Sequence, residues 1–236
     1  MDINELRRIS AKEELSLNYV AKDEAISKAL SQIHDSETII MKEGTAINRV
    51  YIGNKRFSED IDFDIITKDS VKSTLKKTDT IIKAISGFQI DKPRIMNNTI
   101  RYDLYYQNPL NQKDKIRLEF KPVSKPEKYS KKVINFGFVP YEASSFNVYN
   151  VEVLIKHKVE CILNRFEGKD FFDLYYLLDL KHNKLKIDKK KLIERIYLEK
   201  EKIKSLYNVA NHYVPKSKRP IWQNFLNELK EKLNKY

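Results

Sequence analysis

Glycine, cysteine and long apolar runs are what this sequence has least of. Five glycines in 236 residues is about 2%, against ~7% in ordinary usage. They assemble neither a dinucleotide fingerprint nor a Walker-type loop, which argues against a Rossmann oxidoreductase or a P-loop NTPase. The one cysteine, Cys161, cannot close an intramolecular disulfide, so a reducing, cytoplasmic setting is expected. The four histidines, His34, His157, His182 and His212, are scattered and make no zinc cluster with it. No apolar run of about 18 residues occurs, which excludes a transmembrane helix. The stretch from Met1 to Leu17 is broken by charges and lacks the apolar centre of a signal peptide. A metal site must therefore be built from carboxylates and hold a hard cation such as Mg²⁺.

What is present is basic charge and enough apolar residues for a core. Lys and Arg number 45 against 33 Asp and Glu, a formal charge of +12, and the sequence pI is about 9.4. Such a balance points to polyanionic partners, a nucleotide or a nucleic acid, rather than to a fold. Hydrophobic residues at 41% and aromatics at 11% argue against disorder.

Periodicity divides the chain. Apolar spacing predicts two helices before residue 35, a buried strand over Ile39-Ile40-Met41, and a short helix from Thr45 to Tyr51. A strand from Asp60 to Thr67, a helix from Ser70 to Ile85, and strands at Thr99–Gln107 and Lys115–Lys121 follow. The loop Asn108-Pro109-Leu110-Asn111-Gln112 joins the last two. The three prolines between Pro122 and Pro140 mark a linker. Beyond it the pattern is helical: Val151–Phe166, Asp170–Leu180, Lys190–Tyr213 and Ile221–Lys235. The expectation is an α+β core over residues 1–140 and a helical half over 141–236.

The chemistry concentrates in Arg56-Phe57-Ser58-Glu59-Asp60-Ile61-Asp62-Phe63-Asp64-Ile65. On a strand Ile61, Phe63 and Ile65 face the core while Asp60, Asp62 and Asp64 share the opposite side. Aspartate is a poor strand former, and carboxylates about 7 Å apart repel unless a cation such as Mg²⁺ offsets them. A solvated acidic edge would read the same way. Alternation in Lys115–Phe120 turns Arg117 and Glu119 outward, and a second acid-bearing strand could complete a two-metal site; Asp103 competes with Glu119 as the third ligand. Upstream, Lys42-Glu43-Gly44-Thr45 joins a strand to a helix start, where free N–H groups suit phosphate. Thr45 as a plain N-cap is the alternative.

Glu43-Gly44-Thr45-Ala46-Ile47, then Arg56-Phe57-Ser58-Glu59-Asp60-Ile61-Asp62-Phe63, and later Lys158 with Arg165–Tyr175, resemble the AbiEii/MenT-type nucleotidyltransferase toxins. The resemblance implies a polymerase-beta-like core with a mixed sheet, closed by a C-terminal helical half. It implies NMP transfer from an NTP to an acceptor, the tRNA 3′ end, by a Mg²⁺-dependent toxin with a cognate antitoxin. Asp60, Asp62 and, less directly, Glu119 would hold metal. Lys42, Gly44, Thr45, Arg56, Ser58, Lys158, Arg165 and Asp170 would hold the nucleotide, and Lys158 with Asp173 would complete the catalytic set. One departure stands out: members of the resembled family usually read Gly-Gly-Ser/Thr where this chain has Glu43-Gly44-Thr45.

Bottom-up, Lys158 falls on or beside the apolar stripe of its helix, so it either snorkels outward or meets an anion, with Lys156 as the competing lysine. Asp170 after Gly168-Lys169 is also a natural helix cap. Tyr102, Tyr105, Tyr106, Tyr175 and Tyr176 read mainly as packing residues. The lysines at 181, 184, 186, 189, 190 and 191 form a solvated face or an RNA-tracking run. Two competing functions remain at this stage: a metal-dependent nuclease, suggested by Glu119-Phe120-Lys121, and a non-catalytic RNA-binding or antitoxin-like module.

Overall fold

The computed structural model describes residues 1–33, 37–68, 71–135, 137–165, 167–181, 187–198 and 210–235. Lys184, Lys186 and residues 199–209 of the expected helix between 190 and 213 lie outside them. Two helices, α1 (Ile3–Glu13) and α2 (Leu17–Ile33), precede strand β1 (Ile39–Lys42). Helix α3 (Glu43–Ala46) runs on as a wide π-helical turn, Ile47–Tyr51. Then come β2 (Asp60–Ile66), α4 (Val71–Lys83), β3 (Gln89–Ile90), β4 (Arg94–Met96), β5 (Thr99–Gln107) and β6 (Lys113–Val123). Strands β7 (Tyr129–Ile134) and β8 (Ser144–Tyr149) complete one mixed sheet in the order β3-β5-β6-β2-β1-β8-β7, with β4 also paired to β5. Helices α5 (Val151–Asn164), α6 (Gly168–Leu177), α7 (Lys189–Leu198) and α8 (Trp222–Lys235) form the C-terminal half.

The residues explain the layering. Ile39 and Met41 of β1 enter a core with α2, α4 and the inward residues of β2, β5 and β6. Ile40, between them, enters a second core with α5, α6, α7 and α8. A strand buried on both faces is written as an uninterrupted apolar run, and this one joins the two cores. Ile61, Phe63 and Ile65 are fully buried, as their alternation requires.

Three local features differ from expectation. The stretch read as a linker contains β7, an edge strand exposed along most of its length, with Val133 largely in solvent; two wet faces leave no alternation to detect. The sheet continues past residue 140 into β8, which runs parallel to β1. Strand β4 is reached through a tight hairpin whose Asn97 and Asn98 both take positive φ, 45° and 67°, so Asn-Asn was its signal.

Candidate functional site

Strand β2 runs antiparallel to β1 and parallel to β6, placing Lys42 and Glu119 on either side of Asp62, and Arg117 beside Asp60. Across the next pairing Arg101 stands opposite Glu119. The parallel β2–β6 pairing brings the expected acids together, although 57 positions separate Asp62 from Glu119. These side chains line a cleft of about 400 Å³, whose other wall carries Glu43, Gly44, Arg56, Ser58, Lys158 and Arg165. One wall belongs to the sheet; the other combines α3 and the loop before β2 with the helical C-terminal half.

Asp62 is the unusual group in the cleft. Its carboxylate has no hydrogen-bond or ion-pair partner among the described residues, whereas each neighbouring acid has one. Asp60 meets Arg117 at 3.4 Å, Glu119 accepts from Arg101 at 2.8 Å, and Asp64 accepts from Lys42 and from the Tyr149 hydroxyl at 2.5 and 2.6 Å. Burial, then the nearby charges of Glu43 and Glu119, push the Asp62 carboxyl up to about 7. Burial also raises Asp60, against the pull of Arg117. Asp64 shares their side of β2 but is neutralised beneath the cleft. Oxygen donors short of positive charge are the chemistry of a hard divalent cation site, so Asp60 and Asp62, with Glu119 beside them, fit Mg²⁺.

Lys158 sits in α5 with its side chain 2% exposed. It donates to Glu43 at 2.8 Å and Asp170 at 2.9 Å, and Asp173 lies 3.4 Å away. Burial alone would depress its pKa, but these carboxylates, Glu43 first, raise it above the usual lysine range. Lys156, by contrast, pairs with Glu127 on the exposed side of the helix. Arg165 shares Asp170 through a 2.9 Å bond. Asp170 is thus the junction of the two cations rather than a helix cap: α6 begins at Gly168 with Glu167 in the capping position.

One ligand atom each from Glu43, Cys161 and Asp170 also lie within 4.8 Å of one another, a group that could hold a metal ion. The Lys158 ammonium already bonds both of its carboxylates, supplying the charge such a cluster needs. Burial, with Glu43, pushes the Cys161 thiol up to about 11 and keeps it a protonated, weak ligand.

Other expected residues, in this wall or just behind it, are held by buried hydrogen bonds. Arg56 makes a two-pronged pair with Asp173 at 2.7 and 2.6 Å, and Asn48 joins Gly44, Arg56 and Asp173 through its amide. Thr45 donates to the Asp60 carbonyl at 2.5 Å and is buried, so it fixes the start of β2 instead of lining the cleft. Gly44 is needed for close approach: a Cβ there would lie 2.6 Å from Arg56 Nη2 and 2.7 Å from Ser58 Oγ. Asp103 is occupied by Arg94 and Lys115 and does not line the cleft. Lys121 is exposed and absent from its walls, so the nuclease-like Glu119-Phe120-Lys121 is not assembled. Residues not singled out from sequence are Arg101, Arg117, Lys169 and Tyr213, all in the walls; strand pairing and a long-range return of the chain place them.

Three solved structures resemble this one over most of their lengths. JHP933 from Helicobacter pylori superposes with a TM-score of 0.61 at 20% identity, covering 93% of this chain and 92% of that one. MenT4, a nucleotidyltransferase toxin from Mycobacterium tuberculosis, gives 0.62 at 13% identity, covering 100% and 90%. An antigenic nucleotidyltransferase-like protein from Paracoccidioides brasiliensis gives 0.50 at 14%, covering 83% and 95%. At these identities the likeness establishes the fold. A search of curated proteins returns no match. The family model described as "Nucleotidyl transferase AbiEii toxin, Type IV TA system" matches residues 25–235, and the chain therefore belongs to the AbiEii nucleotidyltransferase toxin family, with its polymerase-beta-like core and helical extension.

Proposed function

We propose that this cleft transfers a nucleoside monophosphate from an NTP to the 3′ end of an RNA, with tRNA as the acceptor class, and that the transfer requires Mg²⁺. The observation that carries the reading is the unpartnered Asp62 carboxylate beside Asp60 and Glu119, facing a wall that holds Lys158, Arg165, Arg56 and Ser58. Mg²⁺ held there would neutralise phosphate charge and polarise the phosphorus under attack. Lys158 and Arg165 face the triphosphate as anion partners, and Ser58 and the Gly44 backbone approach it closely. The acceptor hydroxyl forms the new bond to the α-phosphorus as the bond to the β-phosphate oxygen breaks. Pyrophosphate leaves, and the hydroxyl proton passes to Glu119, which Arg101 orients. A cognate antitoxin, restraining a toxin made in the same cytoplasm, belongs to the same reading.

The experiment is incubation of the protein with total RNA, Mg²⁺ and each labelled NTP in turn. Label should enter RNA with one nucleotide and not with the Asp60→Ala/Asp62→Ala double variant. RNA cleavage without NTP would replace the reading with a nuclease. An unchanged cellular effect of the double variant, with no transfer by the wild type, would replace it with a binding module.

A further inference from the structure

The face of the sheet that bears Asp60 and Asp62 continues past the cleft to the far edge of β5 and β6. Alternation along β6 puts Glu119, Arg117, Lys115 and Lys113 on this side, and β5 sets Arg101 opposite Glu119 and Tyr105 opposite Lys115. Arg117 and Lys115 each expose 39% of their side chains. Tyr105 is half-buried, with the ammonium groups of Lys113 and Lys115 at 4.9 and 5.5 Å from its ring centre. A second concavity, about 500 Å³, opens there against Gln89, Tyr105, Gln107 and Lys113. From Glu119 to Lys113 is six residues, or about 20 Å of extended strand.

Resting on the nucleotidyltransferase reading of the cleft, we propose that this face is the track for the single-stranded 3′ segment of the RNA acceptor. Arg117, Arg101, Lys115 and Lys113 follow its phosphates, and the Tyr105 ring stacks a base. Interleaved cations and an aromatic ring are what an extended single strand requires: charge for the backbone and a flat apolar face for a base. Beyond the cleft the acids of this face are met by cations, Asp103 by Arg94 and Lys115, and Glu119 by Arg101, so the charge left along the strand toward Tyr105 is basic. Continuity with the cleft sets the polarity, since the terminal hydroxyl must reach Asp60 and Asp62 while upstream nucleotides extend toward Tyr105. The other two tyrosines of β5 are unsuited to this task. Tyr102 is buried and bonded to Thr78 and Asp79, and Tyr106 is bonded to Asp114 and packed on Phe88.

The test compares wild type with Tyr105→Ala, Tyr105→Phe and Tyr105→Ala/Lys113→Ala. It measures binding of a fluorescent single-stranded RNA oligonucleotide across a salt series, and KM for RNA and for NTP in the transfer assay. Loss of the ring should weaken RNA binding and raise KM for RNA about tenfold, the size of one base–aromatic stack. Tyr105→Phe should restore both, and KM for NTP should not move. Removing Lys113 as well should flatten the slope of log K against log salt by about 0.7. If the wild type transfers nucleotide to RNA and the double variant matches it in RNA affinity and KM, the track is overturned while the cleft reading stands. If the wild type binds RNA through Tyr105 but transfers nothing, the cleft reading falls and the track survives. Failure of the wild type to bind RNA, or binding of polyglutamate in its place, overturns the track in favour of an acidic protein partner.

Discussion

The Lys158 ammonium lies 2.8 Å from the Glu43 carboxylate, an ion pair between the first residue of α3 and the middle of α5, 115 positions apart. Glu43 reaches it from a left-handed backbone, φ 56°, a conformation that L-residues adopt at a cost of roughly 1–2 kcal/mol and glycine adopts freely. The departure from the resembled Gly-Gly-Ser/Thr pattern at Glu43 is therefore visible in the backbone as well as in the charge. The carboxylate occupies the cation that the proposed triphosphate would meet, and its charge also disfavours ionised Asp62.

Glu43→Gly should bind NTP more tightly. It removes one anion from the cleft and returns Lys158 to the substrate, while Asp170 and Asp173 still hold the ammonium. An interaction of about 1 kcal/mol in a solvated cleft corresponds to about fivefold in affinity. Titration with a fluorescent NTP analogue measures it; equal or weaker binding by the variant would show that Glu43 positions Lys158 for substrate instead of competing with it.

Divalent metal should stabilise the wild type and not the Asp60→Asn/Asp62→Asn variant. A ligand that binds only the folded state raises its stability with concentration, by ~2.7 kcal/mol at a hundred times Kd. For a chain of this size that is about 5–10 °C in the unfolding midpoint. Thermal unfolding with and without millimolar Mg²⁺ reads the difference. Equal shifts in both proteins would move the metal away from these carboxylates.

How far the sequence could be read depends on which contacts are local. The alternation at Asp60–Ile65 and the apolar run of β1 are written in neighbouring residues, so the strands, their buried faces and the shared side of Asp60 and Asp62 were legible. The helical stripe of α5 narrowed the cleft lysine to Lys158 or Lys156, and a phase difference of two residues decides between an ion-paired interior and solvent. What escaped depends on partners distant in the chain. The parallel register of β2 with β6 sets Arg117 beside Asp60, and the Phe57 amide donates to the Tyr213 carbonyl at 2.7 Å, backing the loop that carries Arg56 and Ser58. Asp170 looked like a cap because capping is a local rule; the two cations that claim it come from α5 and from the turn after it.

Asp173→Ala should destabilise the fold, whereas Asp60→Asn should not. Arg56 and Asp173 are both buried and share two hydrogen bonds, and removing one partner of such a pair strands the other charge, at about 3–5 kcal/mol. Asp60 is partly exposed, and losing its charge relieves repulsion from Glu59 and Glu119. Urea unfolding separates the two: a loss for Asp173→Ala smaller than about 1 kcal/mol would make that aspartate a replaceable part of the scaffold.

The Lys158 cluster should also set the acid limit of the fold. Burial alone would raise Asp170 and Glu43, but Lys158, joined at Asp170 by Arg165, outweighs it and holds both carboxyls below their ordinary range. A carboxyl with a depressed folded pKa binds its proton more readily in the unfolded chain, so its contribution is complete above the unfolded value, ~3.9 for Asp and ~4.3 for Glu. It fades as pH falls through the lower, folded value. Wild-type stability should therefore drop more steeply between about pH 5 and pH 2 than that of Asp170→Asn, and the two curves should converge in acid. Denaturant midpoints measured across that range provide the check, and parallel curves would mean that Asp170 gains nothing from its two cations.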